Sequence, residues 1–145
     1  MEHSIENTVR RLKELNAPQL LVQLAAGTRA PGVLESEFQV PQEFYSVVSD
    51  PRFPFKDSIV PLWETNGDSI TGFVDLEAPF VIRYYYEDPP SEYEILGHSI
   101  MQAIEHQLEW LLAECGYEPD EVMAAARACE HPSPEDFLRK IQDCE

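Results

Sequence analysis

Apolar residues recur at helical spacing near both ends of the chain and at strand spacing in its middle. Ile5, Val9, Leu12 and Leu15 fall on one stripe, followed after Pro18 by Leu20, Leu21 and Leu24. That period predicts helix over 5–26. Pro18 has no N–H to give a helix interior, so it divides the stretch into two short helices. The Gly27-to-Gly32 region, with Pro31, ends it. In Val40-Pro41-Gln42-Glu43-Phe44-Tyr45, Pro41 is placed to open another short helix.

The middle alternates with a period of two. Ile59–Thr65 reads as a strand, then Asn66-Gly67-Asp68, then a second strand over Ser69–Leu76. Asn-Gly between β-rich runs is the strongest short hairpin signal, because both residues tolerate positive φ. A further turn at Glu77-Ala78-Pro79 leads into Phe80–Glu87. Here Phe80, Ile82, Tyr84 and Tyr86 share one face, and Val81, Arg83 and Tyr85 the other. Pro61 cannot complete a central ladder, so the first strand is expected at an edge or to carry a bulge. The result is a meander of about three strands with room for one more.

Helical spacing returns in the tail. Leu96, Ile100, Ala103, Ile104, Leu108, Leu111, Leu112 and Cys115 form one stripe, with His98, Gln102, Glu105 and Glu109 opposite and Gly116 as the stop. Asp120 is placed to cap a helix running to about Cys129. Ser133-Pro134-Glu135-Asp136 has the cap, proline and acidic first turn of a last helix. Helices, then a meander, then helices packed on the sheet describe an α+β fold. At 145 residues the chain fits a single domain over 1–145.

Charge changes the picture more than composition does. The 43% apolar content supports a real core, while 27 acids against 10 bases give a net charge of −17. Such a chain repels nucleic-acid phosphates and anionic lipid, so neither is an expected partner. From Asp57 to Ala126 there are fifteen acids and one base, Arg83, so this half of the chain carries −14 of the −17. The densest stretch surrounds Pro89-Pro90: Glu87 and Asp88 before it, Glu92 and Glu94 after. A charged loop is ordinarily just solvated. A one-sided field interleaved with Tyr84, Tyr85, Tyr86 and Tyr93 also suits a basic protein partner, since tyrosine supplies both contact area and a hydroxyl. Two or three of these tyrosines are expected in the core.

The N-terminus, Met1-Glu2-His3-Ser4-Ile5-Glu6, carries no signal-peptide pattern, and Cys115, Cys129 and Cys144 form no CxxC pair. Free thiols and a cytoplasmic location are the expectation. No cofactor is expected. Gly27, Gly32, Gly67, Gly72, Gly97 and Gly116 are scattered and build no phosphate cradle, and Ser69 and Ser99 lack a nucleophile-elbow setting. His98, His106 and Glu109 invite a metal-dependent reading, because His106 and Glu109 can share a helix face. They match no HExxH or di-iron pattern, and a solvated helix face accounts for them better.

Three features resemble the SUKH superfamily, the Smi/Knr-type proteins that include many bacterial toxin-immunity proteins. Phe38-Gln39-Val40-Pro41-Gln42-Glu43-Phe44-Tyr45 is similar to that family's proline-led helix with aromatics at the opening of the domain. Ile59 to Asp68 resembles its strand and turn, and the element order is the same; the tail beyond Gly116 has no counterpart. The resemblance implies a non-catalytic protein that binds and blocks a toxin, often a nuclease. Nucleases need basic surface to hold phosphate, which agrees with the independent charge argument. The expected partner-facing residues are Asp68, Asp75, Glu77, Glu87, Asp88, Glu92 and Glu94, with Tyr85 and Tyr93 as aromatic anchors. A scaffolding or regulatory module with several partners is the alternative, and a small metal-dependent enzyme using His98, His106 and Glu109 a further one.

Overall fold

A computed structural model describes residues 4–30, 34–48, 50–89 and 91–143. Pro31 and Gly32 of the expected helix stop, Pro90, Cys144 and the residues Met1–His3 lie outside the described residues. The element order is α1 (Ile5–Glu14), α2 (Gln19–Ala25), α3 (Phe44–Val47), β1 (Ile59–Thr65), β2 (Ser69–Val74), β3 (Phe80–Tyr85), β4 (Tyr93–Gly97), α4 (Ile100–Ala113), α5 (Pro119–Ala128) and α6 (Pro134–Asp143). This is an α+β fold: N-terminal helices, a four-stranded antiparallel meander in the order β1-β2-β3-β4, and C-terminal helices against the sheet.

Local chemistry sets the boundaries. The Ser4 hydroxyl accepts the Asn7 N–H at 3.1 Å and opens α1, and Pro18 precedes α2, so the two N-terminal helices separate where the proline requires. Asn66 and Gly67 have φ of 54° and 70°, and Thr65 pairs with Ser69 across the turn. The hairpin forms because these two residues accept left-handed backbone. Pro61 lies on an edge strand and at a register shift between Pro61 and Trp63, so β1 is both an edge and bulged.

β2 and β3 each end two residues earlier than the sequence reading has them, and three helix boundaries differ more. Leu96 belongs to β4, not to a helix from 96 to 115: α4 begins at Ile100, where the Ser99 hydroxyl accepts the Gln102 N–H. α5 is capped by Glu118, reciprocally with Glu121 and with Pro119 at its first turn, and Asp120 lies inside it. α3 begins at Phe44, three residues beyond Pro41, which sits in a turn closed by the Gln42 N–H to the Val40 carbonyl.

Both faces of the sheet are covered, by different means. Val60, Leu62, Trp63, Phe73, Val81 and Leu96 join the larger core with α1, α2 and the three C-terminal helices. On the other face Ile59, Ile70, Val74, Ile82 and Tyr84 meet Phe44, Val48 and Phe53, from α3 and the irregular chain after it. Edge-on aromatic pairs knit this smaller core, among them Phe53–Tyr84 at 5.6 Å and Phe55–Tyr93 at 5.3 Å between ring centroids. The expected sharing of faces along β3 holds: Phe80, Ile82, Tyr84 and Tyr86 are on the aromatic side and Val81 on the helical side.

Candidate functional site

In an antiparallel meander the first and third turns lie at one end of the sheet and the second at the other. The β1–β2 turn therefore brings Asp68 beside the β3–β4 connection with Glu87 and Asp88. The Tyr86 N–H donates to the Asp68 carbonyl at 3.0 Å and fixes this juxtaposition. The connection is held from within: the Tyr84 hydroxyl donates to the Asp88 carbonyl at 3.0 Å, the Asp88 N–H to Tyr85, and the Glu92 N–H to Pro89. Asp68, Glu87 and Asp88 are thus displayed on backbone held by these hydrogen bonds. Asp68, Glu87, Asp88 and Glu92 are exposed and form no ion pair among the described residues.

Two adjoining depressions open at this end, with Tyr86 lining both. One, of about 510 Å³, is bounded by Arg29, Glu35, Gln39, Glu43, Glu64 and Gly67 among others. The other, of about 500 Å³, is bounded by Asp50, Arg52, Tyr84, Glu87 and Asp88. Each arginine is already committed, Arg29 to Glu35 at 3.3 Å and Arg52 to Asp50 at 2.9 Å. Hydrogen bonds from Arg52 hold the Asp50 carboxyl below its ordinary value. Indeed all seven arginines of the chain sit in ion pairs with acids, so the surplus negative charge falls on side chains such as these.

Glu64 forms the floor of the first depression at 3% exposure, and its carboxylate accepts the Glu43 N–H at 2.8 Å. Burial pushes its pKa up, against the pull of the N–H groups of Glu43 and Phe44. The buried Tyr86 hydroxyl beside it is raised well above a phenol's ordinary value, by burial first and then by the Glu64 charge. The sequence reading named Tyr86 only among the tyrosines interleaved with the acids, and did not count Glu64, Glu43, Glu35 or Asp50 among the partner-facing residues. One signal was available: Glu64 is the only charged residue in the apolar run Ile59–Thr65.

The remaining expected residues go elsewhere. Asp75 and Glu77 lie at the opposite end of the sheet, where Arg11 pairs with Asp75 at 2.9 Å. Glu94 is on β4, not in the loop, and pairs with Arg83 at 3.0 Å across the β3–β4 ladder. The Arg83 guanidinium lies over the half-buried Tyr85 ring, 5.6 Å from its centre. Tyr93 is half-buried against Phe55, so much of its ring is used in packing rather than left as an anchor.

Among the described residues, no three His, Cys, Asp or Glu side chains converge to hold a metal ion. His98 is exposed between β4 and α4, its N–H bound by the Gln102 side chain at 2.6 Å, while His106 is half-buried on α4. Burial, reinforced by Arg83, lowers the His106 pKa and favours the neutral ring. Cys115 and Cys129 are unpaired thiols, and burial pushes Cys129 up to about 12, so it is protonated at neutral pH. No helix among the described residues is long and apolar enough to cross a membrane. No protein-family model, curated protein or solved structure matches the chain.

Proposed function

We propose that this protein acts by binding a basic protein partner on the acidic end of its sheet, without catalysis. One observation carries the reading: Asp68, Glu87 and Asp88 are exposed, unpaired among the described residues, and held together by the Tyr86-to-Asp68 and Tyr84-to-Asp88 hydrogen bonds. A fixed array of like charges beside two acid-lined depressions attracts cationic side chains over a distance and speeds their approach. The hydrogen bonds that already hold this backbone lower the cost of ordering it on binding.

Within that reading, the resemblance of residues 38–45 and 59–68 to the SUKH superfamily supports an immunity-type inhibitor. Its target is then a basic toxin domain, a nuclease being the natural case, whose phosphate-binding surface the acids occupy. A cytoplasmic site of action belongs to the same proposal and is supported by the unpaired Cys115 and Cys129. The test is capture from the native cell's lysate at low and high salt, read by mass spectrometry. One strongly basic protein is expected, enriched at low salt, depleted at high salt and lost with the Glu87→Lys/Asp88→Lys variant. Absence of any basic partner at either salt contradicts the proposal.

A further inference from the structure

β4 is the outermost strand on its side of the sheet, and among the described residues no backbone hydrogen bond from outside the sheet reaches Tyr93–Gly97. Ile95, in the middle of β4, is 58% exposed. An edge of this kind presents unpaired N–H and C=O groups to any extended chain.

We propose that the outer edge of β4 is where the basic partner docks, by adding an extended segment in which basic and apolar residues alternate. This inference rests on the basic-partner reading above and names the mode of recognition. Successive side chains of β4 point to opposite faces. Glu94 lies on the Arg83 side of the sheet, with Glu92 two residues before it, whereas Tyr93 and Ile95 lie on the aromatic side with Phe55 and Phe80. A strand laid along β4 therefore sets every second side chain against Glu94, which Arg83 engages through one carboxylate oxygen, and those between against Ile95 and Tyr93, with Glu92 exposed just before the strand. The first set is lysine or arginine and the second aliphatic. Main-chain bonds give such pairing its affinity and the alternating side chains its selectivity.

Charge decides between occupants. A second copy of this chain would bring another acid-bearing β4 edge, on a second molecule of net charge −17, against the first. Like charges directly opposite on paired strands are destabilising. Acids on an edge are a common guard against self-pairing; here the same acids favour a basic strand. The approach is shared with the acidic end, since Glu87 and Asp88 sit in the connection that leads into β4.

The experiment uses the full chain, isotopically labelled, and three short capped peptides: lysine and valine alternating, the same lysines and valines in two blocks, and glutamate and valine alternating. The alternating lysine–valine peptide is expected to shift the amide signals of Tyr93, Glu94 and Ile95, slow their hydrogen exchange, and bind about tenfold tighter than the block peptide. The glutamate peptide is expected to leave the spectrum unchanged. Ile95→Lys, an exposed substitution that leaves the core intact, is expected to abolish the β4 shifts. Equal binding of the two lysine peptides, or shifts confined to Asp68, Glu87 and Asp88, overturns docking on β4 while the basic-partner reading stands. No binding of either lysine peptide counts against both.

Discussion

The two edges of the sheet are built oppositely. The outer edge of β1 is covered: Gln39 and Glu64 exchange backbone hydrogen bonds at 2.7 and 3.0 Å, the Thr65 hydroxyl donates to the Glu37 carbonyl, and the Asn66 N–H donates to Ser36. Every residue of β1 is buried: the strap covers its Glu64–Thr65 end, and the helical and aromatic cores cover its two faces. β4 has no such strap among the described residues and leaves Glu94 and Ile95 exposed. The contrast teaches that position at an edge does not determine exposure. A short irregular segment helps bury one edge strand at its Glu64–Thr65 end, and the other edge has no such cover among the described residues.

The largest expected effect contrasts the strands directly. Trp63→Ala on β1 removes a fully buried ring, tilted against Phe38 at 4.9 Å between centroids, and costs about 3–5 kcal/mol. Ile95→Ala on β4 stays within about 0.5 kcal/mol. Denaturant unfolding of both variants checks this, and equal losses would break the distinction between the edges. Next comes the strap. Gln39→Pro deletes the N–H that donates to Glu64 and strands a buried carbonyl, at a cost of about 1–3 kcal/mol in the same assay.

A subtler consequence concerns pH. The folded-state pKa of Glu64 is raised above its ordinary 4.5 by burial, so its contribution favours folding below that value and is lost as pH rises through the folded pKa. Glu37, also raised by burial, acts in the same direction. Glu64→Gln keeps an oxygen to accept the Glu43 N–H and removes the charge. The variant therefore gains stability relative to the parent on going from acid to neutral pH, as denaturant midpoints at each pH will show. An unchanged pH profile would mean that covering the β1 edge does not desolvate this carboxyl.

Much of the fold was legible because single residues made strict local demands. Pro18 had to divide the first helical stretch, Asn66-Gly67 had to turn, and Pro61 could not sit in a central strand. β4 was hidden because it has five residues, follows a proline- and acid-rich loop, and contributes Leu96 at helical spacing from Ile100. The aromatic cover from Phe44, Phe53 and Phe55 has no period to read. Its place is set by packing against β2 and β3.

The candidate site was half legible for a related reason. Counting charge along the chain grouped Asp75 and Glu77 with Glu87 and Asp88, yet a meander sends alternate turns to opposite ends. Asp68 could be joined to Glu87 and Asp88 on topology alone. Glu64 and Tyr86 could not, because their burial depends on the distant segment Ser36–Glu43.

Capture of a basic partner is expected to depend on one end of the sheet and not on total charge. Two variants with the same change in net charge separate these: Glu87→Lys/Asp88→Lys at the acidic end and Asp75→Lys/Glu77→Lys at the other. Association rates with the captured partner, measured across a salt series, decide the matter. The first variant is expected to associate about tenfold more slowly at low salt and to lose most of its salt dependence, while the second stays close to the parent. Equal slowing in both variants, or none in the first, would contradict it.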